Sequence, residues 1–420
     1  MSTHLWTYET YTSISLHDLR EVVRDHHPMH SVDGVLPGQW VAALALAPDD
    51  QSSRSRLLAA IDAALEGQSP MHGETFSFGQ VTSSHDVPVI WMFPGQGAQR
   101  VGLLRSLFER NELFRTTLET LLREASEHIG TDVLETLYPA DGANEATELR
   151  LTQTSFCQPV MVGLTLALAE TFSRAGLRID GAMGHSLGEF AATAALGGVD
   201  PKDLMRFVAR RGKVMVESRE GNDPGAMAAV MASSEAIVEA LGDDTSVSVA
   251  NINQPRQTVI SGATADIERA VKSLRRSRLP GKRLPVSHAF HSPLMEDASG
   301  TLVTAVDALT FSDTDAPLFS AIEGSSIMKA HAYRDMFKRH ATSPVNFIAA
   351  LREAERFGKR PLLLEMGAGK TLSSFARHTL GEDSDTLILA SVEPDAEECL
   401  AKAMVSLVKL GVPVATGILG

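Results

Sequence analysis

The segment Gly184-His185-Ser186-Leu187-Gly188 constrains the fold of this chain more than any other feature. It fits the pattern G-x-S-x-G, with the short apolar run Ile179–Met183 before it and the alanine-rich stretch Leu187–Leu196 after it. A strand, a tight turn and a helix in this order are typical of α/β folds that lift a serine above the edge of a sheet. The sequence therefore predicts a nucleophile at Ser186, with an ordinary turn as the alternative interpretation.

Apolar segments that alternate as strands and helices begin with a predicted strand at Val87–Phe93 and indicate a parallel sheet flanked by helices. From Ala226 the order changes to β-α-β-β-α-β, with a last strand expected at Arg283–Ser287, which is typical of a ferredoxin-like subdomain. We therefore expect an α/β protein whose larger, hydrolase-like parallel-sheet body occupies residues 86–420. The ferredoxin-like subdomain is expected to be inserted in that body at residues 225–288.

Residues 1–85 predict a small N-terminal α/β unit of their own. Helical apolar stripes surround Leu19 and Leu58, with Pro28 ending the first helix and Gly67 capping the second. Between them, Val41–Leu46 is either a strand or a turn of buried helix. A polar stretch at 82–86 is the expected domain boundary.

Composition excludes several classes of protein. The formal charge of −14 over 420 residues argues against non-specific nucleic-acid binding, which needs cations to neutralise phosphates. The only cysteines, Cys157 and Cys399, are too few for a disulfide scaffold and too far apart for a zinc site, so we expect no metal and a reducing cytoplasm. No run approaches 18 apolar residues and the N-terminus lacks a signal pattern, so we expect neither membrane insertion nor secretion.

A serine hydroxyl needs a base to act as a nucleophile at neutral pH. Among the fourteen histidines, His185 is adjacent to Ser186, so its side chain leaves the turn in another direction. The segment after the inserted subdomain contains two further candidates, His288 and His291. Spacing alone does not choose between them, and either histidine is equally compatible with an ordinary loop position.

Three other segments suggest ligand contacts. The glycine-rich turn Phe93–Gln99 carries Gln96 as an amide donor, although a plain β-turn is the alternative, and Arg100 stands where a dinucleotide fingerprint needs glycine. Arg211, in an Arg-Arg pair, is either a solvated helix end or a guanidinium that binds a carboxylate. Gly367–Thr371 is not a phosphate-binding loop, because Leu364 occupies the position of its first glycine.

Taken together, these segments resemble the malonyl-CoA:acyl-carrier-protein acyltransferase family, and they look most like the acyltransferase domains of polyketide synthases. The matching pieces follow the order of the family through most of the chain from residue 86 onward: Phe93–Gln99, Thr154–Pro159, Gly184–Phe190, Arg211–Met215, Asn251–Gly262, His288–Met295 and Gly367–Leu372.

The resemblance implies a ping-pong transfer in which Ser186 takes an acyl group from CoA and His291, before Ser292–Met295, is the base. The same resemblance assigns the remaining roles. Gln96 and the backbone N–H of Leu187 align with the oxyanion hole. Arg211 aligns with the arginine that pairs with the free carboxylate of the acyl group, and Gln158 aligns with a pocket amide near that arginine. His340 aligns with the residue whose backbone carbonyl orients the base.

The segment His288–His291 resembles the malonyl-type signature of the family, whereas methylmalonyl-type members carry a Tyr-Ala-Ser-His pattern there. The ring of Phe290 would fill the space that an α-methyl group needs, and His288 belongs to the same substrate-binding signature. The resemblance thus implies that malonyl passes from malonyl-CoA to the phosphopantetheine thiol of an acyl carrier protein, in polyketide or fatty acid biosynthesis. It implies no bound cofactor.

Two other functions remain as alternatives: a serine hydrolase that clears acyl chains from carriers, and a non-catalytic carrier-binding module. Arg211 disfavours the first, since such a hydrolase has no need to bind a free carboxylate, and the pairing of Ser186 with His291 disfavours the second.

Residues 1–85 look like the linker that follows a ketosynthase in modular synthases. The chain is therefore either an excised domain or a trans-acting enzyme, and the starting Met1 slightly favours the trans-acting enzyme. A basic run at the edge of the inserted subdomain is either a docking patch for the acidic carrier or an ordinary solvated surface: Lys272, Arg275, Arg276, Arg278, Lys282 and Arg283.

Overall fold

The structure is a computed structural model of the whole chain. It describes residues 7–414 except 31, 33–34, 47–49, 51, 70, 74, 83–86, 175–176, 220, 243–245, 382–383, 385 and 393–403. Cys399 and most of the expected boundary at 82–86 lie outside the described residues.

The strands in chain order are β1 (Thr7–Ser13), β2 (Trp40–Leu46), β3 (Phe76–Gln80), β4 (Val89–Phe93), β5 (Gly181–Gly184), β6 (Ala226–Val230), β7 (Val247–Gln254), β8 (Gln257–Gly262), β9 (Gly281–Arg283), β10 (Leu318–Ser320), β11 (Ser325–Ile327), β12 (Val345–Asn346), β13 (Leu362–Ala368) and β14 (Leu387–Val392).

The helices in chain order are α1 (Leu16–Arg24), α2 (Ser53–Leu65), α3 (Arg105–Arg110), α4 (Glu112–Ile129), α5 (Val133–Leu137), α6 (Glu145–Thr152), α7 (Thr154–Arg174), α8 (Gly188–Ala195), α9 (Pro201–Glu217), α10 (Ser234–Leu241), α11 (Thr264–Arg276), α12 (Glu296–Asp307), α13 (Ala330–Arg339), α14 (Phe347–Glu355) and α15 (Thr371–Leu380).

The body is built on a six-stranded sheet in the order β11-β10-β5-β4-β13-β14, in which all neighbours but β10 and β11 are parallel. Every residue of β4 is buried, as expected for a central strand covered on both faces. The carboxyl ends of β4, β5 and β13 lie at one edge of this sheet, so the segments that follow Phe93, Gly184 and Ala368 come together there. This confirms the predicted α/β fold with a parallel sheet.

The second sheet has the order β12-β7-β8-β6-β9. Its four inserted strands, with α10 and α11, have the strand order of the expected ferredoxin-like unit. The two residues of β12 come from the body and pair in parallel with β7. The last inserted strand is not at Arg283–Ser287 but at Gly281–Arg283, because these residues pair with Ala228–Val230 before the chain returns to the body.

Helix α7 lies in the core between the main sheet and α4 and α9. By length and composition alone it would be long and apolar enough to cross a membrane, which the sequence analysis did not expect. In the structure, 83% of the most apolar 18-residue stretch of this helix is buried inside the protein, as in the core helices of globular proteins.

The N-terminal residues form a three-stranded antiparallel sheet in the order β1-β2-β3, with α1 and α2 on one face. Val41–Leu46 therefore belongs to a strand. The other face of this sheet shares a core with residues 404–414 at the opposite end of the chain. Thr82 N–H donates to the carbonyl of Gly411 at 3.0 Å, which attaches the N-terminal unit to the C-terminal segment.

Candidate active site

The turn between β5 and α8 holds Ser186 in a strained conformation. Its φ is +49°, in the left-handed region that non-glycine residues rarely adopt. A Cβ at Gly184 would collide with the backbone N of Glu189, and one at Gly188 with the carbonyl of Phe93. The two glycines are thus required for close backbone approach, while the positive φ is carried by the serine itself.

Helix α8 is anchored by a residue that the sequence analysis did not single out. The fully buried Glu189 accepts hydrogen bonds from the N–H of Ala321 at 2.6 Å and the hydroxyl of Ser320 at 2.8 Å. Burial raises the pKa of this carboxyl to about 8. These bonds attach the turn to the end of β10. The sequence signal that could have identified Glu189 is its position directly after G-x-S-x-G, where an acidic residue enters a short apolar helix.

His291, rather than His288, contacts Ser186. The Oγ of Ser186 lies 2.7 Å from the Nε2 of His291, which also has a positive φ, +58°. His288 instead pairs its Nδ1 with the hydroxyl of Ser287 at 2.8 Å. The two histidines that sequence spacing could not separate therefore have different environments.

The carbonyl that directly bonds the side chain of His291 belongs to Ser343, whereas the sequence analysis expected that of His340, whose backbone also lies near this ring. The Nδ1–H of His291 donates to the carbonyl of Ser343 at 2.8 Å, and its backbone N–H donates to the carbonyl of Ala341 at 3.0 Å. The chain turns after α13, where the N–H of Ser343 donates to the carbonyl of Arg339 at 3.0 Å. This turn brings the carbonyl of Ser343, three residues after His340, next to the imidazole of His291. These bonds leave the Nε2 of His291 as the acceptor for the serine proton.

The surroundings of His291 favour its neutral form. The side chain is buried, and burial together with the positive charge of Arg211 lowers its pKa to about 3. A neutral imidazole with its proton on Nδ1 can only accept at Nε2. The arrangement is therefore ready to take a proton from Ser186.

Arg211 is a buried cation, only 4% exposed. Its Nη1 donates to the Oε1 of Gln158 at 2.7 Å, and its guanidinium lies over the ring of Phe190 at 5.1 Å. No ion pair between described residues involves Arg211. Burial lowers its pKa to about 9, so the group stays protonated at neutral pH, and its charge is not balanced by any acidic side chain among the described residues.

A hydrogen-bond chain extends from Arg211 to the glycine-rich turn after β4. Gln158 donates through Nε2 to the hydroxyl of Thr154 at 2.7 Å, and the side chain of Gln96 donates to the same hydroxyl at 3.2 Å. A Cβ at Gly212 would lie 2.7 Å from the Cα of Ser155, so this glycine allows α9 to approach α7. The sequence analysis did not single out Thr154 as a site residue, because its contacts with Gln96 and Gln158 exist only in the folded chain.

These groups surround a cavity of about 370 Å³ between the body and the inserted subdomain. Its walls include the predicted site residues Ser186, His291, Arg211, Gln96, Leu187 and Phe290. Gln158, His340 and His288 do not line it; the first two stand behind Arg211. Within the described part of the chain, no cluster of three or more His, Cys, Asp or Glu side chains is arranged to hold a metal ion.

Comparison with known proteins gives consistent matches. The sequence model of the family described as "Acyl transferase domain" matches residues 90–412, more than half of the chain. The chain is 30% identical over 296 residues to the malonyl CoA-acyl carrier protein transacylase of Bacillus subtilis, covering 69% of this chain and 89% of that protein. It is 30% identical over 356 residues to the polyketide synthase GfsB of Streptomyces halstedii, covering 83% of this chain.

A solved structure, the acyltransferase domain from the second module of the salinomycin polyketide synthase, superposes with a TM-score of 0.72 at 28% identity. The superposition covers 89% of this chain and 84% of that domain. The chain spans only 6% of the Streptomyces synthase, and 12% and 17% of two other long synthases that it also matches.

Proposed function

This chain belongs to the acyl transferase domain family, and we propose that it transfers malonyl from malonyl-CoA to the phosphopantetheine thiol of an acyl carrier protein. One observation carries the proposal: a single cavity contains the Ser186–His291 hydrogen bond and the buried cation Arg211, which has no acidic partner among the described residues. A nucleophile serves any acyl transfer, whereas a desolvated guanidinium next to it suits an acyl group with a second carboxylate.

In the first half-reaction, the Oγ of Ser186 attacks the thioester carbonyl while the Nε2 of His291 takes the serine proton. Collapse of the tetrahedral intermediate breaks the C–S bond, and His291 returns the proton to the leaving CoA sulfur. In the second half, the carrier thiol gives its proton to His291 and attacks the malonyl ester. Ser186 recovers its proton as the product thioester forms.

The charge on the tetrahedral oxygen needs donors that are not already in use. The backbone N–H groups of Leu187 and Gln96 donate to no acceptor among the described residues, and both residues line the cavity. The side-chain amide of Gln96 is bonded to Thr154, so its backbone N–H is the better candidate. One such donor typically lowers the barrier by about 3 kcal/mol.

Selectivity for malonyl is proposed to combine charge and shape. Arg211 would bind the free carboxylate, and Phe290, which lines the cavity, would occupy the space that an α-methyl group needs. The exposed basic residues of α11 and β9 would attract an acidic carrier to the inserted subdomain.

The test is intact-protein mass spectrometry after mixing with malonyl-CoA. The parent should gain one malonyl group, Ser186→Ala should gain none, and Ser312→Ala, which changes an exposed serine outside the cavity, should behave like the parent. After removal of malonyl-CoA, the adduct should persist in buffer and disappear when a carrier protein with its phosphopantetheine arm is added. If the malonyl adduct is instead hydrolysed in buffer without carrier as fast as it disappears with carrier, the hydrolase alternative is supported.

A further inference from the structure

His340 lies behind the cavity wall and contacts two groups of the proposed mechanism. Its fully buried imidazole places Nε2 3.0 Å from the backbone carbonyl of Ser186 and Nδ1 3.3 Å from the Nη2 of Arg211. One face of the ring packs on Phe190, with the centroids 4.2 Å apart. A single side chain thus joins the backbone of the nucleophile to the cation.

The two contacts require one particular tautomer of His340. A carbonyl oxygen only accepts, so the Nε2 that faces Ser186 must carry the proton. In the neutral ring, Nδ1 is then an acceptor, which matches the guanidinium N–H of Arg211. Burial and the nearby charge of Arg211 hold the pKa of His340 well below its usual range, and this keeps the ring neutral.

These contacts also limit how Arg211 can move. Its guanidinium is held by Gln158 on Nη1, by His340 on Nη2 and by Phe190 below the plane. Gln158 and Phe190 place it relative to helices α7 and α8, whereas His340 places it relative to the carbonyl of Ser186 itself. The distance between nucleophile and cation therefore depends on His340 more directly than on the other two contacts.

We propose that His340 is a positioning residue that sets the separation between Ser186 and Arg211, and thereby the preference for acyl groups with a second carboxylate. This inference rests on the proposed function. An acyl group without a carboxylate needs Ser186 and His291 but makes no use of Arg211. The ratio of malonyl to acetyl transfer thus reports on the position of Arg211, whereas general damage to the core would slow both reactions alike.

The experiment compares His340→Gln with His340→Leu. The side-chain amide of glutamine offers both a donor and an acceptor, as the neutral imidazole does, whereas leucine offers neither. Initial rates of serine acylation from malonyl-CoA and from acetyl-CoA are measured for each variant by quenched-flow mass spectrometry. We expect the malonyl-to-acetyl ratio to fall about tenfold in His340→Leu, because this is the usual effect of losing a hydrogen bond to a charged group. In His340→Gln the ratio should stay within about threefold of the parent.

Equal slowing of both acyl groups in His340→Leu, or a malonyl-to-acetyl ratio in His340→Gln as low as in the leucine variant, overturns the inference. If His340→Leu does not fold, His340→Asn replaces it, because its side chain is too short to reach both partners and should lower the ratio in the same way. A parent protein without any preference for malonyl overturns the proposed function itself, and that outcome is read before any variant is compared.

Discussion

Arg211 and the basic residues at the edge of the inserted subdomain carry the same charge in opposite surroundings. Arg211 is buried, held by neighbours on three sides and without an acidic partner among the described residues. The residues of the basic run are all exposed, and their one ion pair in the described part of the chain joins Arg283 to Glu268 at 3.9 Å.

This difference in solvation should produce a difference in function. A desolvated charge interacts strongly with a single group at a fixed position, while exposed charges act weakly, over a longer range, and are screened by salt. We therefore expect the buried cation to select the acyl group and the exposed cations to affect the encounter with the carrier.

The largest effect should come from Arg211→Ala. Removing the guanidinium leaves the malonyl carboxylate without a partner in a buried cavity, so malonyl transfer should fall about a hundredfold. Acetyl transfer should change by less than about threefold. The measurement is the rate of serine acylation from each CoA thioester.

Arg210→Ala is the matched control, because Arg210 precedes Arg211 on the same helix but is exposed. It should leave both rates close to those of the parent. If Arg211→Ala slows malonyl and acetyl transfer equally, the buried cation has no selective role and the comparison with the surface charges fails.

A smaller effect is expected where the cavity selects by shape. Phe290→Ser removes a ring from the wall and should raise the ratio of methylmalonyl to malonyl acylation about tenfold, as one methyl group typically contributes about 1–3 kcal/mol to discrimination. Competition between the two CoA thioesters, read by intact mass, gives this ratio. Phe290→Tyr keeps the ring and should keep the ratio, and an unchanged ratio in Phe290→Ser removes the steric role.

Much of the fold was predictable because its signals are local. The G-x-S-x-G turn, the buried run of β4 and the β-α-β-β-α-β order each occupy contiguous residues. Strands β1 and β3 were missed for the opposite reason: Thr7–Ser13 is mostly polar, and Phe76–Gln80 contains Gly79. Both become strands by pairing with β2, which the local sequence does not reveal.

The residues of the site likewise divide into those with a local sequence signal and those that only the folded chain brings together. The motif pointed to Ser186, whereas the resemblance to a family selected His291 over His288 and assigned Arg211 its carboxylate-binding role. The carbonyl that orients His291 was misassigned by three residues, since every residue has a carbonyl and only the turn at 340–343 decides which one faces the ring. The hydroxyl of Thr154 links Gln96 and Gln158 only in three dimensions, so no pattern of spacing predicted it.

The smallest effect should come from the basic run. Arg275→Glu combined with Arg276→Glu reverses two exposed charges at the end of α11, and the KM for the carrier protein should rise about three- to fivefold. Serine acylation from malonyl-CoA should stay as in the parent, because this step does not use the carrier. Both values come from steady-state transfer and single-turnover acylation at low ionic strength.

The matched control is Arg123→Glu combined with Arg360→Glu, which changes the net charge equally at exposed positions on other parts of the body. If the attraction is local, this control leaves the KM for the carrier unchanged, and added salt reduces the difference between the parent and the α11 variant. An equal rise in both double variants shows that only the net charge of −14 matters. In that case the basic run is an ordinary solvated surface that does not recognise the carrier, and only Arg211 is expected to bind a specific group of the substrates, the malonyl carboxylate.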